Sequence, residues 1–200
     1  MFTSKADVSG GVNLTRPPSL DAGTLLNLSA PGIGSVDLAR TGDGFYGDTS
    51  PVPIYPTTGT TTMTVTGTGG KDVGAFTAKV TPGAALTVHN LATFGTIDRA
   101  QGATVTWQGA LTGSVVAIYG TSFLPSQTSP YTTMFSCLAR ADEGRFTVPA
   151  WVLLALPAST ANGGVLAIMN ATPMTSFPVT GVANAWIQAQ WITGKQVTYK

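Results

Sequence analysis

Three sets of residues in this chain have the types and spacing that chemistry would need. The first centres on His89, the lone imidazole, around which a Ser-His-Asp hydrolase would have to be assembled. No Gly-x-Ser-x-Gly elbow accompanies it, and Gly32-Ile33-Gly34-Ser35 and Gly120-Thr121-Ser122 read as turns, not as a nucleophile on a strand-to-helix corner. A glycosidase would need two carboxyl groups flanking a cleft. The single glutamate, Glu143, adjoins Asp142, and neighbours in a strand point to opposite faces. Turn-forming roles suit Asp72 and Asp142 better, so no catalytic residue is assigned and the chain is read as a non-enzyme.

The second set is the acidic loop Asp43-Gly44-x-x-Gly47-Asp48. Asp43 and Asp48, with nearby main-chain carbonyls, offer some of the oxygen ligands that calcium takes. The loop lacks the spaced Asp/Asn ladder and closing Glu of an EF-hand, so solvated turn acids are the plainer reading and no cofactor is expected beyond that calcium option. One histidine and one cysteine, Cys137, cannot supply a four-ligand zinc site from a single copy.

The third set is aromatic. In Trp186-Ile187-Gln188-Ala189-Gln190-Trp191-Ile192, strand alternation puts Trp186 on one face with Gln188 and Gln190, and Ile187, Ala189 and Trp191 on the other. An indole flanked by amides can stack on the C–H face of a sugar while the amides bond its hydroxyls, so Trp186, Gln188 and Gln190 form the candidate ligand site. Trp107, Trp151 and Trp191 are expected to pack in the core or between domains.

The elements that must position these residues are strands. Only 10% of the 200 residues are charged against a usual share of about 25%, so solubility rests on Thr, Ser, Gly and Gln. Thr and Val suit a pleated surface, and 24 Gly and 13 Pro punctuate turns. The net charge of +1 leaves no electrostatic footprint for nucleic acid or an anionic membrane, and neither is expected as a partner. No stretch approaches the roughly 20 apolar residues of a membrane span. The start, Met1-Phe2-Thr3-Ser4-Lys5, lacks a secretory signal, so an exported module would carry its signal upstream in a longer parent. Three formal glycosylation sequons, at Asn13, Asn27 and Asn170, carry no weight in so Thr-rich a chain.

Asp72-Val73-Gly74-Ala75-Phe76-Thr77 and Asp142-Glu143-Gly144-Arg145-Phe146-Thr147 share the pattern Asp-x-Gly-x-Phe-Thr, and Gly34-Ser35-Val36 returns as Gly113-Ser114-Val115. This long-period echo suggests a duplicated β-domain. The expectation is an all-β protein of two tandem antiparallel β-sandwich, immunoglobulin-like domains, residues 1–100 and 101–200, joined at Asp98-Arg99-Ala100-Gln101-Gly102. Expected strands include 23–28, 35–40, 60–66, 73–80, 103–107, 114–119, 132–138, 145–148, 164–170 and 185–193, with one helical turn in 150–156 before Pro157.

The run Gly67-Thr68-Gly69-Gly70-Lys71-Asp72-Val73-Gly74-Ala75-Phe76, the segment Thr104-Val105-Thr106-Trp107 with its following Gly-Ser-Val, and Phe146-Thr147-Val148-Pro149 with Leu153-Leu154-Ala155-Leu156-Pro157 carry a resemblance. They resemble an uncharacterised β-rich C-terminal region of large secreted bacterial proteins, over most of the chain after Leu20; Glu143 departs from the small residue expected there. The resemblance implies an extracellular or cell-surface module with a sandwich fold and brings no catalytic residues. The expected function is that of a non-catalytic accessory or spacer module whose partners are other domains of the same parent. The rival is a carbohydrate-binding module whose partner is a polysaccharide.

Overall fold

The computed structural model describes residues 19–32, 34–42, 44–47, 59–124 and 131–200. In chain order its strands are β1 (Leu25–Ala30), β2 (Gly34–Arg40), β3 (Tyr46–Gly47), β4 (Met63–Gly67), β5 (Phe76–Val80), β6 (Thr87–Val88), β7 (Thr96–Ile97) and β8 (Ala103–Gln108). There follow β9 (Val115–Leu124), β10 (Tyr131–Arg140), β11 (Arg145–Val148), a helical turn α1 (Ala150–Leu153), β12 (Gly164–Ala171), β13 (Thr175–Ser176), β14 (Trp186–Ile187) and β15 (Gln190–Tyr199). The chain is thus all-β, and its sheets are antiparallel apart from one pair, β7 with β15.

Two compact units form, and they are interleaved along the chain. The larger combines Ala84–Ala171 with Gln190–Lys200, and the smaller combines the described part of Ala6–Gly83 with Thr172–Ala189. The division therefore does not fall at residue 100, where the sequence suggested a linker. β6 and β7 precede that point, yet Thr87 and Val88 pair with Gln108 and Trp107 of β8, and Thr96 and Ile97 pair with Thr198 and Tyr199 of β15.

In the larger unit one sheet has the order β10-β9-β12-β15-β7 and the other β11-β8-β6. Alternation drives both: β12 buries every second residue along its length, and β8 buries Ala103, Val105 and Trp107. The inward faces of the two sheets share one core, with Val105, Val148, Val116, Ile118, Leu166, Ile168 and Val197 all fully sealed from solvent. A sandwich is the economical way to bury two such faces. α1 closes it by adding Val152 and Leu153, with Leu156 just beyond.

Among the described residues, the buried polar side chains of this unit all find partners. Asn170, fully buried, donates from Nδ2 to Ser114 Oγ at 2.7 Å and to the Val115 carbonyl at 2.8 Å, while its Oδ1 accepts the Leu111 N–H. That burial leaves the sequon at Asn170 unavailable to a glycan in the folded chain. Trp107 Nε1 donates to the Ala141 carbonyl at 2.9 Å, and the Tyr199 hydroxyl donates to the Val165 carbonyl at 3.0 Å. Gly120 lies inside β9, not in the turn its Gly-Thr-Ser setting suggested, and a methyl group there would collide with the Phe135 ring. Glycine is what lets that ring lie across the sheet.

The smaller unit is built on one sheet of order β3-β2-β1-β4-β5 and the β13-β14 hairpin. Register places Leu26 and Leu28 of β1 beside Leu38 and Val36 of β2 and Gly67 and Val65 of β4 on one face. The other face carries Asn27, whose Nδ2 donates to Asp37 Oδ1 at 2.9 Å, with Thr64 and Thr66. Burial is shallow on the apolar face, where Leu26, Leu28, Val36, Leu38 and Val65 are all half-buried. Hydrogen bonds tie the segments that flank this sheet. Asp21 and Asp72 clasp each other, the Asp21 N–H donating to Asp72 Oδ2 and the Asp72 N–H to the Asp21 carbonyl, both at 3.0 Å.

The two Asp-x-Gly-x-Phe-Thr segments hold different places. Phe76 opens β5, which pairs with β4 just before it, whereas Phe146 lies on β11, which pairs with β8 across two intervening strands. Gly144 is left-handed at φ 65°, while Gly74 is needed because Thr180 packs where its Cβ would be. Gly34 opens a hairpin partner of β1, but the strand after Gly113 pairs with β10 and β12 and not with β8. These placements do not correspond as a duplication would require.

Candidate functional site

Trp186 lies on β14, opposite Ser176 of β13, and the Phe177 N–H extends this hairpin by donating to the Ala185 carbonyl at 3.1 Å. The Phe177 ring and the Thr180 carbonyl help to fix the hairpin to the main sheet of its unit. Phe177 stacks on Phe76 with ring centroids 5.3 Å apart and planes tilted by 32°, and the Gly74 N–H donates to the Thr180 carbonyl at 2.9 Å. On this mount Trp186 is 58% exposed. Such a ring offers an apolar face to water and a donor at its edge.

The strand expected over 185–193 is broken. β14 ends at Ile187 and β15 starts at Gln190, because Gln188 and Ala189 turn to Thr172. Gln188 Nε2 donates to the Thr172 carbonyl at 2.7 Å, the Ala189 N–H donates to Thr172 Oγ1 at 3.0 Å, and the Thr172 N–H returns a bond to the Ala189 carbonyl at 2.9 Å. Trp186, Gln188 and Gln190 are nonetheless exposed while Ile187, Ala189 and Trp191 are half-buried, as alternation requires. Trp186 and Gln188 belong to the smaller unit and Gln190 to the larger, where it stands opposite Ala171. Gln188 spends its amide N–H on the fold.

The other tryptophans divide. Trp107 is buried and Trp191 half-buried, but Trp151 is 66% exposed, against the expectation that it packs. The helical period explains this. Val152, Leu153 and Leu156 fill the core, so Trp151 and Leu154, three residues apart, share the opposite side. A helical wheel drawn over 150–156 would have shown it.

Asp43 and Asp48 lie outside the described residues. Of the acids nearby, Asp37 is engaged with Asn27. His89 is exposed at the end of β6, and its main-chain N–H donates to the Thr106 carbonyl at 2.9 Å. Asp142 and Glu143 lie in a 3-10 turn and not in a strand, so the alternation argument does not apply to them. Asp142 is in a two-point ion pair with Arg140, which holds its carboxyl below the usual range, chiefly through the side-chain hydrogen bond. Cys137 is half-buried against the core, and burial pushes its thiol up, away from the reactive thiolate. No helix among the described residues is long and apolar enough to cross a membrane.

Comparison with protein-family models, with curated proteins and with solved structures finds no match to this chain. The reading of its function therefore rests on its own geometry and on the segments quoted above.

Proposed function

We propose that the chain is a non-catalytic accessory or spacer module of a secreted bacterial protein, at the cell surface or outside the cell, holding or presenting other domains of the same parent. The observation that carries this reading is where the polar groups of the larger unit go. Asn170, Trp107, Tyr199 and Ser122 each spend their side-chain donors on the fold, Ser122 Oγ donating to the Pro157 carbonyl at 2.9 Å. Polar chemistry used this way produces a rigid scaffold. The resemblance of 67–76, 104–107 and 146–157 to exported β-rich regions points the same way.

The finer architecture belongs to the same proposal. Three strands in the order β6-β8-β11 face five in the order β7-β15-β12-β9-β10, with β7 parallel to β15, and we read the larger unit as immunoglobulin-like. Peptide mapping of the exported fraction of source cells tests the functional reading. Peptides from residues 20–200 should appear outside the cell within a polypeptide longer than this chain. Recovery from the cytosol alone contradicts it.

The exposure of Trp186 favours a second reading, that the module binds polysaccharide through Trp186 with Gln188 of the same unit. Titration with soluble glycans should then shift the indole fluorescence, and Trp186→Ala should abolish binding while changing stability by no more than about 0.5 kcal/mol, the usual range for a surface site. Absence of any fluorescence change with plant and bacterial polysaccharides at millimolar concentration removes this reading.

A further inference from the structure

We propose that β10 is a self-pairing edge, through which two copies of this chain join antiparallel into one continuous sheet. β10 is a 10-residue strand, and it is matched one-to-one with β9 from Tyr131↔Leu124 to Arg140↔Val115 with no bulge. Among the described residues β9 is its only ladder partner. In an antiparallel ladder alternate residues turn their N–H and C=O groups to one neighbour, so the remaining residues of β10 turn theirs outward.

The opposite edge of the same sheet shows the contrast. There the short strand β7 covers β15, pairing at Thr96 and Ile97. Short edge strands, bulges, prolines and inward or flanking lysines are the usual means of stopping edge-to-edge association. In Tyr131–Arg140 none is found: the sequence is YTTMFSCLAR, without proline or lysine. Its one charge, Arg140, lies at the end and is held by Asp142 at 2.6 Å.

The side chains specify a second copy. Met134 and Leu138 project from the outer face of the sheet and are 61% and 64% exposed. Antiparallel pairing about a two-fold axis at Ser136 sets Met134 of each copy opposite Leu138 of the other, twice over. It also puts Thr132 opposite Arg140, so no like charges meet. The strand is therefore complementary to itself both in main-chain hydrogen bonding and in side-chain character, which an isologous contact demands.

Sedimentation of the full chain across a concentration series tests this. The wild type should show a reversible monomer–dimer equilibrium. Met134→Lys should weaken the dimer by about tenfold or more, since two symmetry-related pairs are lost at once. Met134 is exposed, so the variant should keep the wild-type circular dichroism. Adding Leu138→Glu to it should restore the dimer in a salt-sensitive form, because each new lysine would face a new glutamate. A wild type that stays monomeric at the highest attainable concentration overturns the proposal and leaves the edge to an extended segment of some other protein. A dimer unmoved by Met134→Lys, or a double variant that is not rescued, overturns it too.

Discussion

The larger unit and the smaller one solve the same problem, burying strands poor in charge, in different ways. Tyr199, Ile118, Leu153, Leu156, Leu166 and Ile168, the largest fully buried side chains described, all belong to the larger unit. Among the described residues, the buried hydrophobic side chains of the smaller unit are Ala22, Ala30, Met63, Val73 and Ala78. Among the described residues, one unit rests on a two-sided core, and the other on a sheet tied by hydrogen bonds, those of the Tyr46 hydroxyl among them, and by the Phe76–Phe177 ring pair. Burial contributes roughly 25 cal/mol for each Å² of apolar surface, so among the described residues the larger hydrophobic stabilisation lies in the first. The second is the part that can place an exposed indole such as Trp186 on a light mount.

Substitutions can break this contrast. Leu166→Ala, in the middle of the sandwich core, should have the largest effect, a loss of about 2–5 kcal/mol in denaturant unfolding, because a sealed cavity is left behind. A loss under 1 kcal/mol would mean that the core is not shared between the two sheets.

Tyr199→Phe should come next, at about 1–3 kcal/mol, since the Val165 carbonyl loses its donor. It also has a pH signature. Burial raises the Tyr199 phenol well above its ordinary value of 10.0. Its contribution is therefore complete below pH 10, where the phenol is neutral folded or unfolded, and is lost as pH rises toward and through the folded value. Stability of the wild type should fall in alkali more steeply than that of Tyr199→Phe. Parallel curves would contradict the burial of this ring.

Phe177→Ala should have the smallest effect on the chain as a whole, about 1–2 kcal/mol from a half-buried ring pair. Its specific sign is local, a faster exchange of the amides of β5, β13 and β14 with those of β12 unchanged.

Strands with a strict two-residue period were legible from the residues themselves. β11 coincides with the expected 145–148, and β2, β8 and β12 agree within a residue. The helical turn at α1 followed from the two flanking prolines, Pro149 and Pro157. β9 ran past its expected end because Gly120 reads as a turn signal until the Phe135 ring that needs its space is known. The interleaved units were not legible, since the pairing of Thr96 with Thr198 joins residues a hundred positions apart and no local pattern announces it. The duplication failed for a related reason. Asp-x-Gly-x-Phe-Thr encodes a strand entry, and a strand entry does not say which strand will be the neighbour. At the candidate site, alternation predicted the exposure of Trp186, but the break at Gln188 is set by Thr172, whose role depends on tertiary contact.

Hydrogen exchange followed by mass spectrometry on the intact chain tests the contrast between the units most directly. Amides of β9, β12 and β15 should exchange only through global unfolding, whereas those of β1, β2, β4 and β5 should exchange through a cheaper opening that leaves the sandwich protected. Equal protection in both sets, or earlier opening of the sandwich, would contradict the contrast between a deeply packed larger unit and a lightly built smaller one.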